Sequence, residues 1–327
     1  MCTEIEIIKK ANQLLDERET EEALIYLEEN SRKYPSMKVL NNMGWFYTYI
    51  GIFKEDTGLW YYSPERAIEP LKQAISLSTE SHYPYTNLGC AYYKLENYEE
   101  AAIAFQNSVD IEKSVINQNN LVCSLMKLKK FNEANTIMNE LLKDVKNADV
   151  FEFFLKCKHS PEHMSLYSIL FNYAVIQAEL GNISNVKSTA EQLLEYHNLN
   201  YISMDDVDII DILMLFNFCG EHETVIKLYP QEGYAVDENV FSLYLSSLLK
   251  LGLTDKAEEF YKKTIADIDE EIQDFSEDEE CEDKEFLIDK CKKHIEIIND
   301  TYNQFLKNPK MKLNFEPKIM YSNYYFR

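Results

Sequence analysis

At 327 residues and 46% hydrophobic content, the chain has material for two globular domains or one elongated array. Eight glycines and eight prolines are too few for the many tight turns of an all-β protein, which leaves long helices with short connections. A formal charge of −23, from 33 basic against 56 acidic residues, disfavours nucleic acid or a bare anionic membrane as partner. The surplus acid favours a basic partner, or simply keeps the chain in solution.

In chain order, Ala11, Leu14, Ala23, Leu27 and Pro35 form a first helix pair. A second starts at Asn42-Met43-Gly44 and resumes with Ala67, Leu71 and Ala74, its halves held apart by about 11 extra residues near 51–63. Ser63-Pro64 restarts the helix, with Ser63 as N-cap and Pro64 at the first helical place. The third is NLGCAYYKLENYEEA, Asn87 to Ala101, and it returns 33 residues later as NLVCSLMKLKKFNEA, Asn120 to Ala134. Leu88, Ala91, Tyr92 and Leu95 recur at helical spacing, as do Ala101, Ala104, Phe105 and Ser108. Glu96-Asn97 breaks the two runs.

Residues 144–165 fit no full unit and are expected to hold one irregular helix. Asn172-Tyr173-Ala174 with Leu180-Gly181-Asn182 is a recognisable copy. Asp211 to Tyr229 is weaker, and Phe241 to Thr264 recovers with Gly252, Ala257 and Tyr261. The count is about seven units over residues 3–265. Residues 266–285 follow as an acidic linker, a solvated loop or frayed helix, since Asp267 to Glu285 holds 12 acids and one lysine. Residues 286–307 read as a capping helix with Leu287, Cys291, Ile295, Ile298, Tyr302 and Phe305 on one side. The tail, 308–327, is basic and aromatic: four basic residues, one acid and five aromatic rings. Rings such as Phe315 are costly to leave in water, so the tail is expected to dock.

Tyr85, Leu88, Gly89, Tyr92, Ala101 and Phe105 carry a pattern that resembles the tetratricopeptide repeat, a helix-turn-helix unit of about 34 residues. The resemblance implies an all-α, right-handed α-solenoid closed by the capping helix, with a concave face lined by the first helix of each unit. It puts Asn42, Asn87, Asn120 and Asn172, each two residues before the small-residue place, on that face. There an amide can pair with the backbone of an extended peptide, or else bridge adjacent helices. Neighbouring concave places are Asn41, Trp45 and Tyr49, then Thr86, Cys90, Tyr93 and Lys94, then Asn119, Cys123, Met126 and Lys127. Lys94 and Lys127 suit an acidic or carboxylate ligand. The carboxylate clamp of some family members is incomplete here: Lys38 fits one basic place, but Ile116 stands at another.

No Gly-rich phosphate loop, GxSxG or HExxH occurs. Cys157, His159 and His163 are spaced to touch a metal but lack a matched second half, and read as surface residues. The expectation is therefore a non-enzymatic module without cofactor or metal, holding a peptide or a protruding protein segment in its groove. The residues expected to do so are Asn42, Trp45, Asn87, Tyr93, Lys94, Asn120, Met126, Lys127 and Asn172. The alternative is an acidic, immunity-type inhibitor of a basic protein. Seven cysteines without CxxC pairing point to reduced thiols, and MCTEIEIIKK lacks the apolar run of a signal peptide. With no stretch near the ~18 apolar residues of a membrane span, a cytoplasmic location is expected.

Overall fold

A computed structural model describes residues 4–50, 52–54, 59–61, 63–145, 161–198, 209–229, 238–278 and 283–309, together with Met311, Leu313, Phe315, Pro317 and Lys318. The chain divides into two compact units, residues 1–157 with 317–327, and residues 158–316.

In the first unit the helices are α1 (Glu4–Asp16), α2 (Thr20–Lys33), α3 (Met37–Tyr49), α4 (Pro64–Leu77), α5 (Tyr83–Lys94), α6 (Tyr98–Ile111), α7 (Val115–Lys127) and α8 (Phe131–Val145). They pack in sequence as antiparallel-type pairs, each also touching the next. The second unit holds α9 (Pro161–Glu179), α10 (Ile183–Asn198), α11 (Ile209–Phe218), α12 (His222–Leu228), α13 (Glu238–Lys250), α14 (Thr254–Glu277) and α15 (Lys284–Lys307). The fold is all-α, a solenoid-type succession of helix pairs.

One turn recurs in six of these pairs. Arg18, Glu96 and Lys129, and Gly181, Gly220 and Gly252, all have φ between 59° and 83°. Each stands two residues before the second helix of its pair. The following residue donates its N–H back five residues, as Asn97 does to Tyr92 O and Leu253 to Leu248 O, both at 2.9 Å. This is the left-handed helix stop that satisfies the last carbonyls. Gly252 has φ +74° and nothing within 4 Å of where a Cβ would be, so only the backbone conformation opposes a side chain. Gly252→Ala is therefore expected to cost about 1–2 kcal/mol. Urea denaturation checks it; an unchanged midpoint would refute the strain.

Between α3 and α4 the insertion contributes the only strands among the described residues, β1 (Ile52–Lys54) paired antiparallel with β2 (Leu59–Tyr61), Phe53 opposite Trp60. Ser63 precedes α4 with Pro64 in its first turn, although the serine side chain makes no capping bond.

Close helix crossings explain the small residues. A Cβ on Gly44 would lie 2.3 Å from Leu71 Cγ, and one on Gly89 would lie 2.6 Å from the Phe105 ring. Ala67, Ala101 and Phe105 have no exposed surface.

One sequence expectation needs amendment. Residues 266–285 are not a linker throughout: α14 runs on through the acidic run to Glu277. Ile268 is buried and Ile272 half-buried against a cluster that includes Ile298 and Phe305 of α15, so one apolar edge keeps the run helical while its acids face water. The irregular helix expected over 144–165 falls largely outside the described residues; α8 continues to Val145 and α9 starts at Pro161. Among the described residues, no helix is long and apolar enough to cross a membrane.

A buried polar cluster ties α5, α6 and α7 together. Thr86 Oγ1 meets Ser108 Oγ at 2.6 Å and donates to Asn117 Oδ1 at 2.9 Å. Asn117 Nδ2 reaches the Glu112 carbonyl at 3.0 Å and His82 Nδ1 at 3.2 Å. His82 Nε2 faces the Glu112 carboxylate at 3.1 Å. Burial holds the His82 pKa below its usual 6.5, with Glu112 opposing. Burial also lowers His197 and His222. The unfolded chain thus takes up these protons first as pH falls. Their contribution is present above about pH 6.5 and lost below it. Denaturation midpoints should drop between pH 7.5 and 5.5, and His82→Gln should flatten part of that slope; an identical slope would contradict the account.

Candidate binding face

On the first helices of the pairs, residues spaced four apart form one stripe: Asn41, Trp45 and Tyr49 on α3; Thr86, Cys90 and Lys94 on α5; Asn119, Cys123 and Lys127 on α7. Counted back from the left-handed turn residues Glu96 and Lys129, those on α5 and α7 are the tenth, sixth and second places. In the second unit the same places hold Phe171 on α9, Met214 and Phe218 on α11, and Lys250 on α13.

In each unit these places meet the chain's own tail. Within the first unit, Asn119 Nδ2 donates to the Lys318 carbonyl at 3.0 Å, and Cys123 Sγ reaches the same oxygen at 3.4 Å. Within the second unit, the Phe315 ring stands edge-on to Phe171 at 6.3 Å and to Phe218 at 5.8 Å. Met311 and Leu313 pack on the cluster that contains Phe241, Leu245 and Leu248.

The asparagine series lies one residue off the stripe. Asn42, Asn87, Asn120 and Asn172 are all buried. Asn87 Nδ2 donates to Asn41 Oδ1 at 3.0 Å, so it bridges α5 to α3. Asn120 Nδ2 lies 3.9 Å from Cys90 Sγ, from α7 to α5. These two amides thus reach a stripe residue of the preceding first helix. Trp45 and Met126 are buried, and Trp45 packs on Tyr49 with ring centroids 5.6 Å apart. Tyr93, Lys94 and Lys127 are half-buried. Tyr93 stacks edge-on to Tyr98 at 5.2 Å, while Lys94 Nζ sits 5.6 Å over Tyr49 and Lys127 Nζ 5.7 Å over Tyr98.

The thiol chemistry is quiet. Burial pushes the Cys90 thiol up to about 12, which the nearby Tyr49 hydroxyl and Lys94 only partly offset. Burial lowers the Lys94 pKa. Cys90 is therefore a hydrogen-bonding group of the face rather than a nucleophile.

Phe218 and Lys250 escape a reading by copied motif, because their pairs have lost the asparagine and small-residue pattern, and only the register from Gly220 and Gly252 would have placed them. Phe171 stands beside Asn172 in a pair that keeps the pattern. Cys157 and His159 lie outside the described residues, as does the side chain of His163. Among the described residues no cluster of His, Cys, Asp or Glu is arranged to hold a metal.

Residues 82–114 match the tetratricopeptide repeat family. No curated protein matches the chain. Among solved structures, it is similar to a tetratricopeptide repeat protein from Parabacteroides merdae ATCC 43184, at 15% identity and a TM-score of 0.54, over 88% of this chain and 98% of that one. It is also similar to pilF of Pseudomonas aeruginosa, at 13% identity and a TM-score of 0.40, over 79% of this chain and 88% of that one. Identities this low speak for the fold alone. The matched α5–α6 pair is also the one with the tight Gly89–Phe105 crossing and the polar cluster at His82. Residues 82–114 thus carry a tetratricopeptide repeat, and the chain has the α-solenoid fold of such repeats, which are generally protein–protein interaction modules.

Proposed function

We propose that the stripe on the first helices binds an extended segment of a partner protein, and that the C-terminal tail occupies this face until the partner displaces it. The observation that carries the reading is the pair of bonds from Asn119 and Cys123 to the Lys318 carbonyl. A side-chain amide on a main-chain carbonyl holds a segment whatever its side chains are, so it suits a ligand other than the tail. Trp45, Tyr93, Lys94, Met126 and Lys127 lie on or beside the stripe and would contact such a segment. Asn42, Asn87, Asn120 and Asn172 would hold the first helices in register beneath it. The free thiols of Cys90 and Cys123 fit a reducing, cytoplasmic setting. The module works by binding, without catalysis or cofactor.

The test uses the full chain with Leu313→Ser and Phe315→Ser, which loosen the tail without touching a repeat helix. Panning a random-peptide display library on this chain should enrich binders. Those binders should lose about 1–3 kcal/mol of affinity when Asn119→Ala is added, the cost of leaving a buried polar group unpaired. A library that yields no binder, or binders indifferent to Asn119, would contradict the reading.

A further inference from the structure

Phe315 does not fill the bay that receives it. A cavity of about 320 Å³ remains in the second unit. Ile183, Met214, Phe218 and Phe315 make its walls apolar, and Asn217, His222 and Lys250 supply its polar groups. That is the usual composition of a small-molecule site: mostly apolar lining with a few convergent polar groups.

The polar groups are unusual for this chain. Lys250 ends α13 and is half-buried. Its ammonium donates to Asn217 Oδ1 at 3.0 Å. Asn217 is turned to receive it because its Nδ2 donates to Ser247 Oγ at 2.7 Å. No carboxylate among the described residues pairs with Lys250, in a chain whose acids outnumber its bases by 23. His222 lines the same cavity, while its Nδ1 is buried without a hydrogen-bond partner. The two nitrogens sense each other: burial and then Lys250 lower the His222 pKa, with Glu221 opposing. An ammonium half removed from water and met only by a neutral amide is costly, and a carboxylate beside it would offset that cost.

We propose that this cavity binds a small carboxylate with an apolar or aromatic body. The carboxylate accepts charge-assisted bonds from the remaining Lys250 protons. The body lies against Met214, Phe218 and the Phe315 ring. Because Phe315 is one wall, a bound ligand and a seated tail hold each other in place. This site goes beyond the peptide-binding reading and can fail without it.

Titration calorimetry on the unaltered full chain with 3-phenylpropionate and with 3-phenylpropionamide tests the charge requirement directly, since the two differ in little but the carboxylate. The acid should bind about tenfold tighter or more, a difference of about 1.4 kcal/mol. Lys250→Met should reduce the acid to the amide's level with the helical circular dichroism unchanged, while Lys227→Met on the exposed face of α12 should leave the acid's affinity as it was. The proposal is overturned if acid and amide bind alike, if neither binds, or if the preference survives Lys250→Met.

Discussion

Phe105→Ala is expected to destabilise the chain by about 3–5 kcal/mol, the usual cost of emptying a fully buried aromatic site. Phe105 has no exposed surface, and its ring lies where a Cβ on Gly89 would stand, 2.6 Å away. The glycine that admits the ring has no side chain to swing into the space left behind. Restoring volume from the other side should therefore help. Gly89→Ala alone overpacks the crossing, by about 1–3 kcal/mol, but in the Phe105→Ala background it should cost much less. Each helix pair buries its face only on its neighbours, so the loss should spread to the pairs on either side. Denaturant unfolding of the four chains in this cycle measures it; strictly additive losses would mean that Gly89 and Phe105 do not meet.

Asn117→Ala should cost about 2–4 kcal/mol, because one side chain makes three bonds at the α5–α6–α7 junction, each worth about 1 kcal/mol. Asn117→Asp preserves the shape and separates hydrogen bonding from packing. A carboxylate can still accept from Thr86 but cannot donate to the Glu112 carbonyl, so the aspartate should lose nearly as much as the alanine. An aspartate as stable as the parent would show that the donated bonds contribute nothing.

The repeat was legible because its packing demands rare residues at fixed places. Gly44, Gly89 and Ala101 announce close crossings, and Gly181, Gly220 and Gly252 announce turns with positive φ. The equivalent turns at Arg18, Glu96 and Lys129 carry no such mark, since a polar residue there looks like any helix end. The length of α14 was hidden for a related reason: dense acid outweighs Ile268 and Ile272 in any reading of composition, although two isoleucines four apart suffice to hold one edge of a helix on α15. At the binding face, asparagines repeated at 33-residue spacing drew attention to Asn87 and Asn120. The tail bond comes instead from Asn119, beside them, whose place on the stripe holds Asn41, Thr86 and Phe171 in other pairs. A place defined by direction from a helix rather than by residue type is only partly marked by a repeated letter.

The face that holds the tail is expected to accept an exchangeable extended segment. A labelled synthetic peptide of residues 308–327, titrated by fluorescence anisotropy into three full-length chains, measures this. In the unaltered chain the tethered tail competes at an effective concentration on the order of millimolar. The peptide should therefore bind the Leu313→Ser, Phe315→Ser chain about tenfold tighter or more, and adding Asn119→Ala should weaken that binding again. Equal affinity for the first two chains, or binding indifferent to Asn119, would contradict the account.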